Sequence, residues 1–271
     1  MPKAFLIVAI LLYALCAFLP MSQRRLVSAG TLLAWLAQAA ALYVEAFPGN
    51  DTIRLGFATV LSATLWVSVA AWWLENRNFS LDGLRVLVLP CAAVACALPA
   101  VFPGTVVDLA GKSPWFSWHI AIAVLAYSTL TIAAFHAVLM ALQEARLHQR
   151  GAAARNEGWF NAAIERLPAL LTMEKLLFRL IGFGFVLLTL TVLSGTVFSE
   201  QLFGVAFRWD HKTVFTLLSW LLFGALLAGR RMRGWRGRTA LSFTLSGFAT
   251  LFLAYVGSRF VLEVVLHRSL A

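Results

Sequence analysis

Five histidines are set among long apolar runs: His119, His136, His148, His211 and His267. An ionisable group inside a bilayer is costly, so each one calls for a physical account. His148 and His267 sit at or beyond the ends of apolar runs, among charges, and read as solvated. His136 lies 17 residues beyond His119 on one run, roughly 25 Å along a helix, so these two cannot share a ligand. His119 and His211 each stand in the first turn or so of a different run. If both runs enter a membrane from the same face, two imidazoles from separate helices lie at similar depth. Imidazole is a strong axial ligand for haem iron, and helical bundles build cofactor sites from facing side chains. The same spacing suits two interfacial histidines hydrogen-bonded to loops or water, and the residues alone leave both readings open.

The neighbours of this pair are aromatic and basic. Ser113-Pro114-Trp115-Phe116-Ser117-Trp118 precedes His119, and Phe207-Arg208-Trp209-Asp210 precedes His211. Tryptophan at a membrane boundary is an ordinary interfacial anchor, yet Trp115, Trp118 and Trp209 would also wall a flat apolar ring. Arg54, Lys112, Arg208, Lys212 and Arg259 on the same side are solvated loop charges or partners for carboxylates, which arginine grips bidentately. Arg259 and Glu263, four apart, can pair with each other. Other chemistries lack their residues: there is no Gly-rich phosphate loop, no H-E-x-x-H and no nucleophile elbow. No acidic residue is expected near the middle of a span, which argues against a proton- or cation-coupled pump. No catalytic constellation is visible, so the chain is not read as an enzyme.

The elements that carry these residues follow from composition. Of 271 residues, 61% are hydrophobic and 13% charged, with a mean hydropathy of +0.82. A soluble domain is about 45–50% apolar and about 25% charged, so one water-soluble core cannot hide this much apolar surface. The sequence predicts an all-α, polytopic integral membrane protein, a bundle of about eight transmembrane helices forming a single membrane domain over 1–271. The spans fall at about 4–20, 27–47, 55–74, 84–102, 115–141, 175–198, 212–229 and 239–265, each long enough for a helix. Pro90 and Pro99 predict a kink or tilt in the fourth. The first run lacks a small-x-small cleavage site and reads as a retained helix, not a signal peptide. Glycines 182, 184, 195, 224, 247 and 257 are expected to permit close helix packing. The three cysteines, Cys16, Cys91 and Cys96, lie in apolar runs and read as buried, inert thiols.

A net charge of +10 here punctuates the apolar runs, so it orients the chain in lipid and does not point to nucleic acid. One alternating set of loops, carrying Arg24, Arg25, Arg77, Arg85, Arg146, Arg150, Arg155, Arg166, Lys175, Arg230, Arg231, Arg233, Arg236 and Arg238, is twice as basic as the other. The positive-inside rule makes it cytoplasmic and puts both termini, with His119 and His211, on the outer side. The long cytoplasmic linker 142–174 continues the fifth helix as a charged extension. Phe160, Ile164 and Leu167 then mark an interfacial amphipathic helix, and Thr172 is the expected N-cap of the sixth span.

Three stretches carry a resemblance. Ser113-Pro114-Trp115-Phe116-Ser117-Trp118-His119 runs into Leu125-Ala126-Tyr127. Leu193-Ser194-Gly195 leads through Arg208-Trp209-Asp210-His211-Lys212-Thr213 to Trp220. Trp235-Arg236-Gly237-Arg238 is followed by Gly247-Phe248 and Tyr255-Val256-Gly257-Ser258. In these the chain resembles the cytochrome c assembly membrane proteins of the CcsA/CcmC type, and most closely their smaller YpjD/HemX-like branch, whose linker Leu167-Pro168 and Met173–Arg179 also resemble. The resemblance implies haem handling on the outer face of the bacterial inner membrane. It matches His119 to the family's first outer-face haem ligand. His211 stands where larger members have the proline of W-D-P-K-E, and their tryptophan-rich loop is reduced here to Trp209-Asp210. The expectation is therefore a haem-binding accessory factor. It would hold haem b with His119 and His211 as metal ligands, Trp115, Trp118 and Trp209 as walls, and Arg208, Lys212 and Arg259 near the propionates. Its surroundings would be the lipid bilayer and haem-delivery or cytochrome assembly proteins. The alternative is a cofactor-free regulatory or partner subunit acting through 142–174.

Overall fold

A backbone N–H or C=O without an internal partner costs several kcal/mol in lipid, so long apolar runs resolve into helices. The computed structural model describes residues 2–49, 52–79, 81–108, 114–149, 167–203, 209–257 and 260. Among them are eight α-helices: α1 (Pro2–Phe18), α2 (Arg24–Ala46), α3 (Phe57–Phe79) and α4 (Arg85–Val101) in the first half, then α5 (Pro114–Gln149), α6 (Leu170–Phe203), α7 (His211–Arg233) and α8 (Gly237–Phe252). Seven helical segments are long and apolar enough to cross a membrane, and α1 is apolar but shorter. The chain is an all-α polytopic membrane bundle. α4 continues through both Pro90 and Pro99 as one helix.

α1 packs on α2 and α4, α3 on α4 and α5, and α5 most extensively on α6, while α8 joins α5 to α7. Polar bonds in the interior fix this arrangement. The Tyr13 hydroxyl donates to Gln38 Oε1 (2.8 Å), and Gln38 Nε2 donates to Ser62 O and Ser62 Oγ (3.2 Å each), linking α1, α2 and α3. Trp35 and Trp66 stack at 4.7 Å with 6° between planes, and each indole N–H donates to the other's carbonyl at 3.0 Å. These indoles are therefore satisfied by the helices themselves. Gly184 lets α6 close on α5, since a Cβ there would lie 2.6 Å from Leu130 Cδ2. Gly182 differs from the expectation: nothing lies within 4 Å of its Cβ position, so it makes no close approach. Cys16 and Cys96 are buried as expected, whereas Cys91 faces outward.

Two features depart from a purely helical reading. β1 (Thr52–Leu55) and β2 (Thr105–Asp108) pair antiparallel, from Thr52↔Asp108 to Leu55↔Thr105, tying together the loops that follow α2 and α4. Gly104 makes the turn into β2 at φ 73°, with Leu55 O 2.7 Å from where a Cβ would be, so a side chain is excluded by both backbone and space. The second departure is the start of α6. Thr172 and Met173 donate their N–H groups to Ala169 O (2.8 and 3.1 Å), which places Thr172 inside the first turn instead of at the cap. Pro168 restricts the residue before it, and the helix can begin just after. The Phe160 and Ile164 positions of the expected amphipathic helix lie outside the described residues. The linker's far end is anchored. Glu174 Oε1 accepts from Arg230 (2.6 Å) and Arg236 (2.8 Å), and Arg238 reaches Glu144 (3.4 Å).

Candidate functional site

His119 lies five residues into α5 and is half-buried. Its Nδ1 is 2.7 Å from Ser194 Oγ on α6, and the ring lies along Gly195, whose Cβ position is 3.5 Å from His119 Cε1. The Ser194 hydroxyl also reaches Leu190 O at 2.7 Å and Thr191 O at 3.2 Å. A hydroxyl has a single proton. Given to the Leu190 carbonyl, that proton leaves Ser194 Oγ as the acceptor for His119, and Nδ1 must then be the protonated nitrogen. In that tautomer the lone pair is on Nε2, the arrangement in which a histidine can coordinate a metal with its other nitrogen held by a protein oxygen.

His211 is the first residue of α7 and is exposed. Its position is set by the cap before it: Asp210 Oδ1 accepts from Thr213 N (2.8 Å) and Thr213 Oγ1 (2.9 Å), the usual arrangement for an N-terminal aspartate. α5 and α7 are not extensive neighbours of each other; both pack on α6 and α8. Trp118 and Trp209 are exposed, at 65% and 76%, so neither is absorbed into the protein core. Lys212 places its ammonium 5.8 Å from the centre of the Tyr255 ring, and Tyr255 meets Tyr127 edge to face at 6.4 Å. The Tyr127–Tyr255 contact joins α5 to the wide turn Leu253–Gly257 after α8.

Of the other expected site residues, Trp115 is described only by its helical backbone. Arg208, Lys112 and Arg259 lie outside the described residues, as does the Arg259–Glu263 pair. Arg54 places Nη1 2.7 Å from Glu45 Oε1, so part of its hydrogen-bonding capacity is used within the chain. Among the described residues no three His, Cys, Asp or Glu side chains converge as a metal cluster; a haem iron takes its axial ligands singly, so this geometry does not bear on it.

Sequence reasoning missed two participants in this site, Ser194 and Tyr255, and a polar pair further along α5. Ser194 enters the sequence reading only as part of Leu193-Ser194-Gly195, and only the pairing of α5 with α6 shows that it meets His119. Tyr255 is brought in by the wide turn. His136 is wholly buried on α5, its Nδ1 2.9 Å from Ile132 O and its Nε2 3.7 Å from Glu75 Oε2 on α3. No sequence pattern announces that Glu75 will meet it.

The comparisons with known proteins agree with this architecture. The family model described as "Cytochrome C assembly protein" matches residues 4–266. The chain is 28% identical to "Inner membrane protein YpjD" of Escherichia coli strain K12, over 89% of this chain and 88% of that one. It is 32% identical to "Cytochrome c biogenesis protein CcsA" of Guillardia theta, over 55% of this chain and 52% of that one. The CcsA of Chlamydomonas reinhardtii is 28% identical, over 56% of this chain and 40% of its own length. A family match that spans nearly every helix, including those bearing His119 and His211, means that the chain belongs to the cytochrome c assembly protein family.

Proposed function

We propose that this chain is a haem-binding factor of cytochrome c assembly, a multi-pass protein of the bacterial inner membrane. It holds haem b near the outer face between His119 and His211. The observation that carries the reading is the 2.7 Å contact between His119 Nδ1 and Ser194 Oγ. It pre-orients one imidazole, and a ring held in this way binds metal more tightly than one free to rotate. α5 and α7 flank α6 and α8 without packing extensively on one another, which suits a pair of helices that share a flat group instead of side chains. The exposed indoles Trp118 and Trp209, with Trp115, supply faces for a porphyrin, while Arg208, Lys212 and Arg259 meet its propionates. A bound haem would supply a redox-active iron; His119 and His211 would hold it, and the surrounding aromatic and basic residues would set its orientation and charge balance. The role is binding and handling, not catalysis. The outer-face position and the outward termini rest on the arginine-rich alternate loops, which include the Arg230–Arg238 cluster.

The family membership supports the reading, since relatives named as cytochrome c biogenesis proteins share about half of this chain. Haemin titration of the detergent-purified protein tests it. The expected result is a saturable Soret band at one haem per chain, weakened at least tenfold in affinity in His119→Ala and in His211→Ala. A band unaltered in both variants removes these residues from the site.

A further inference from the structure

The opposite end of the bundle carries a second, basic site. Ser68 Oγ donates to Ser128 O, and Glu75 lies beside His136, so α3 and α5 run parallel and Arg77 is at the end away from His119. There, between α2, α3 and the start of α4, is a cavity of about 610 Å³. Arg24, Arg25, Arg77 and Arg85 line it against a single carboxylate, Asp82. Asp82 Oδ1 accepts from Asn76 Nδ2 (2.9 Å), and Arg24 Nη2 donates to Asn76 O (3.1 Å). Arg85 is only 4% exposed. One of its terminal nitrogens donates to the Leu19 carbonyl, but its Nε has no hydrogen-bond partner, and neither has Asn76 Oδ1. An anion in the cavity would meet the guanidiniums of Arg24, Arg77 and Arg85 that line it, and charge-assisted hydrogen bonds to guanidinium are strong.

The cavity does not stand alone. A second one of about 200 Å³ follows the groove between α2 and α3, lined by Leu32, Trp35, Val69, Trp73 and Leu74. Trp73 borders both cavities, and Arg77 lies over its ring at 5.2 Å. Leu32 and Leu74 are 41% and 57% exposed, so the groove opens sideways to the hydrocarbon. A cluster of cations thus adjoins an apolar channel, with one indole as the shared wall.

We propose that this pair of cavities is a binding site for one anionic phospholipid, with its phosphate among Arg24, Arg77 and Arg85 and an acyl chain along the α2–α3 groove. The excess of four guanidiniums over one carboxylate selects an anionic headgroup over a zwitterionic one, as basic pockets between transmembrane helices do. The groove selects a lipid over a free phosphate. The site is independent of haem; under the orientation proposed above it faces the cytoplasmic leaflet.

Native mass spectrometry of the full chain in neutral detergent tests this, with added phosphatidylglycerol, phosphatidylcholine of the same chains, sn-glycerol 3-phosphate and haemin as separate probes. One phosphatidylglycerol adduct per chain is expected, against weak phosphatidylcholine and glycerol phosphate adducts. Arg24→Gln with Arg77→Gln, which spares the Arg85–Leu19 bond, should weaken phosphatidylglycerol binding about thirtyfold. Ala70→Trp, which fills the groove without touching the charges, should weaken it at least tenfold. Arg231→Gln with Arg233→Gln removes two charges elsewhere and should change nothing. Equal adducts with both phospholipids, binding unchanged in either site variant of native helix content, glycerol phosphate bound as well as the lipid, or haemin displacing the lipid from this site would each overturn the proposal.

Discussion

Replacing Ser194 by alanine isolates the element on which the proposed haem site depends. The substitution removes the oxygen 2.7 Å from His119 Nδ1 while leaving both histidines in place. It also removes a hydroxyl bonded to Leu190 O, a side-chain bond to the preceding turn whose loss a helix tolerates. The cost should therefore fall on the ligand. Without a partner, Nδ1 no longer fixes the ring plane, and the tautomer with its proton on Nε2 competes for the neutral ring. Losing the group that holds a metal-bound histidine typically costs 10–100-fold in affinity, or about 1.4–2.8 kcal/mol. The assay is haemin titration of matched detergent preparations, with helix content and thermal midpoint measured alongside. Ser194→Thr, which keeps a hydroxyl at the same carbon, should recover most of the affinity. Equal haemin affinity in wild type and Ser194→Ala, at equal helix content, would refute the argument that this hydroxyl orients His119.

Three further outcomes concern the scaffold. Glu174→Gln leaves Arg230 and Arg236 sharing a neutral acceptor and should destabilise the chain by about 1–3 kcal/mol, a hydrogen bond to a charged group being worth about that much; an unchanged thermal midpoint would show that the clamp contributes nothing. Gly184→Ala drives a Cβ to 2.6 Å from Leu130 Cδ2 and should cost about 1–3 kcal/mol. Leu130→Ala in the same chain should return part of that loss, and a strictly additive double variant would argue against direct contact. His136→Leu alone leaves Glu75 without the ring 3.7 Å away, whereas His136→Leu with Glu75→Leu replaces both polar groups. The double variant should be the more stable of the two in a detergent melt, and the reverse order would show that the pair does not share one environment.

The helices were legible because lipid permits so few alternatives: a run such as 170–203 has no other way to satisfy its backbone. The sequence predicted the sixth span from 175, and the structure begins α6 at Leu170, since apolar length marks the hydrocarbon and not the helix end. The strands Thr52–Leu55 and Thr105–Asp108 were hidden because four-residue stretches beside spans are too short to carry a periodicity of their own. His119 and His211 could be singled out from type and depth. Ser194 could not, since its meaning depends on how α6 is rotated against α5. The meeting of His136 with Glu75, 61 residues earlier in the chain, and the gathering of Arg24, Arg77 and Arg85 around Trp73 likewise depend on helix rotation and depth. Neither quantity is written in hydropathy.

The most direct test of the central claim is low-temperature electron paramagnetic resonance of the ferric, haem-loaded protein, with the near-infrared charge-transfer band recorded on the same sample. Axial ligation by His119 and His211 predicts a low-spin, bis-imidazole signature in the wild type, converted to high-spin iron by His211→Ala and again by His119→Ala. A low-spin bis-imidazole signal that persists in the chain lacking both histidines would contradict it.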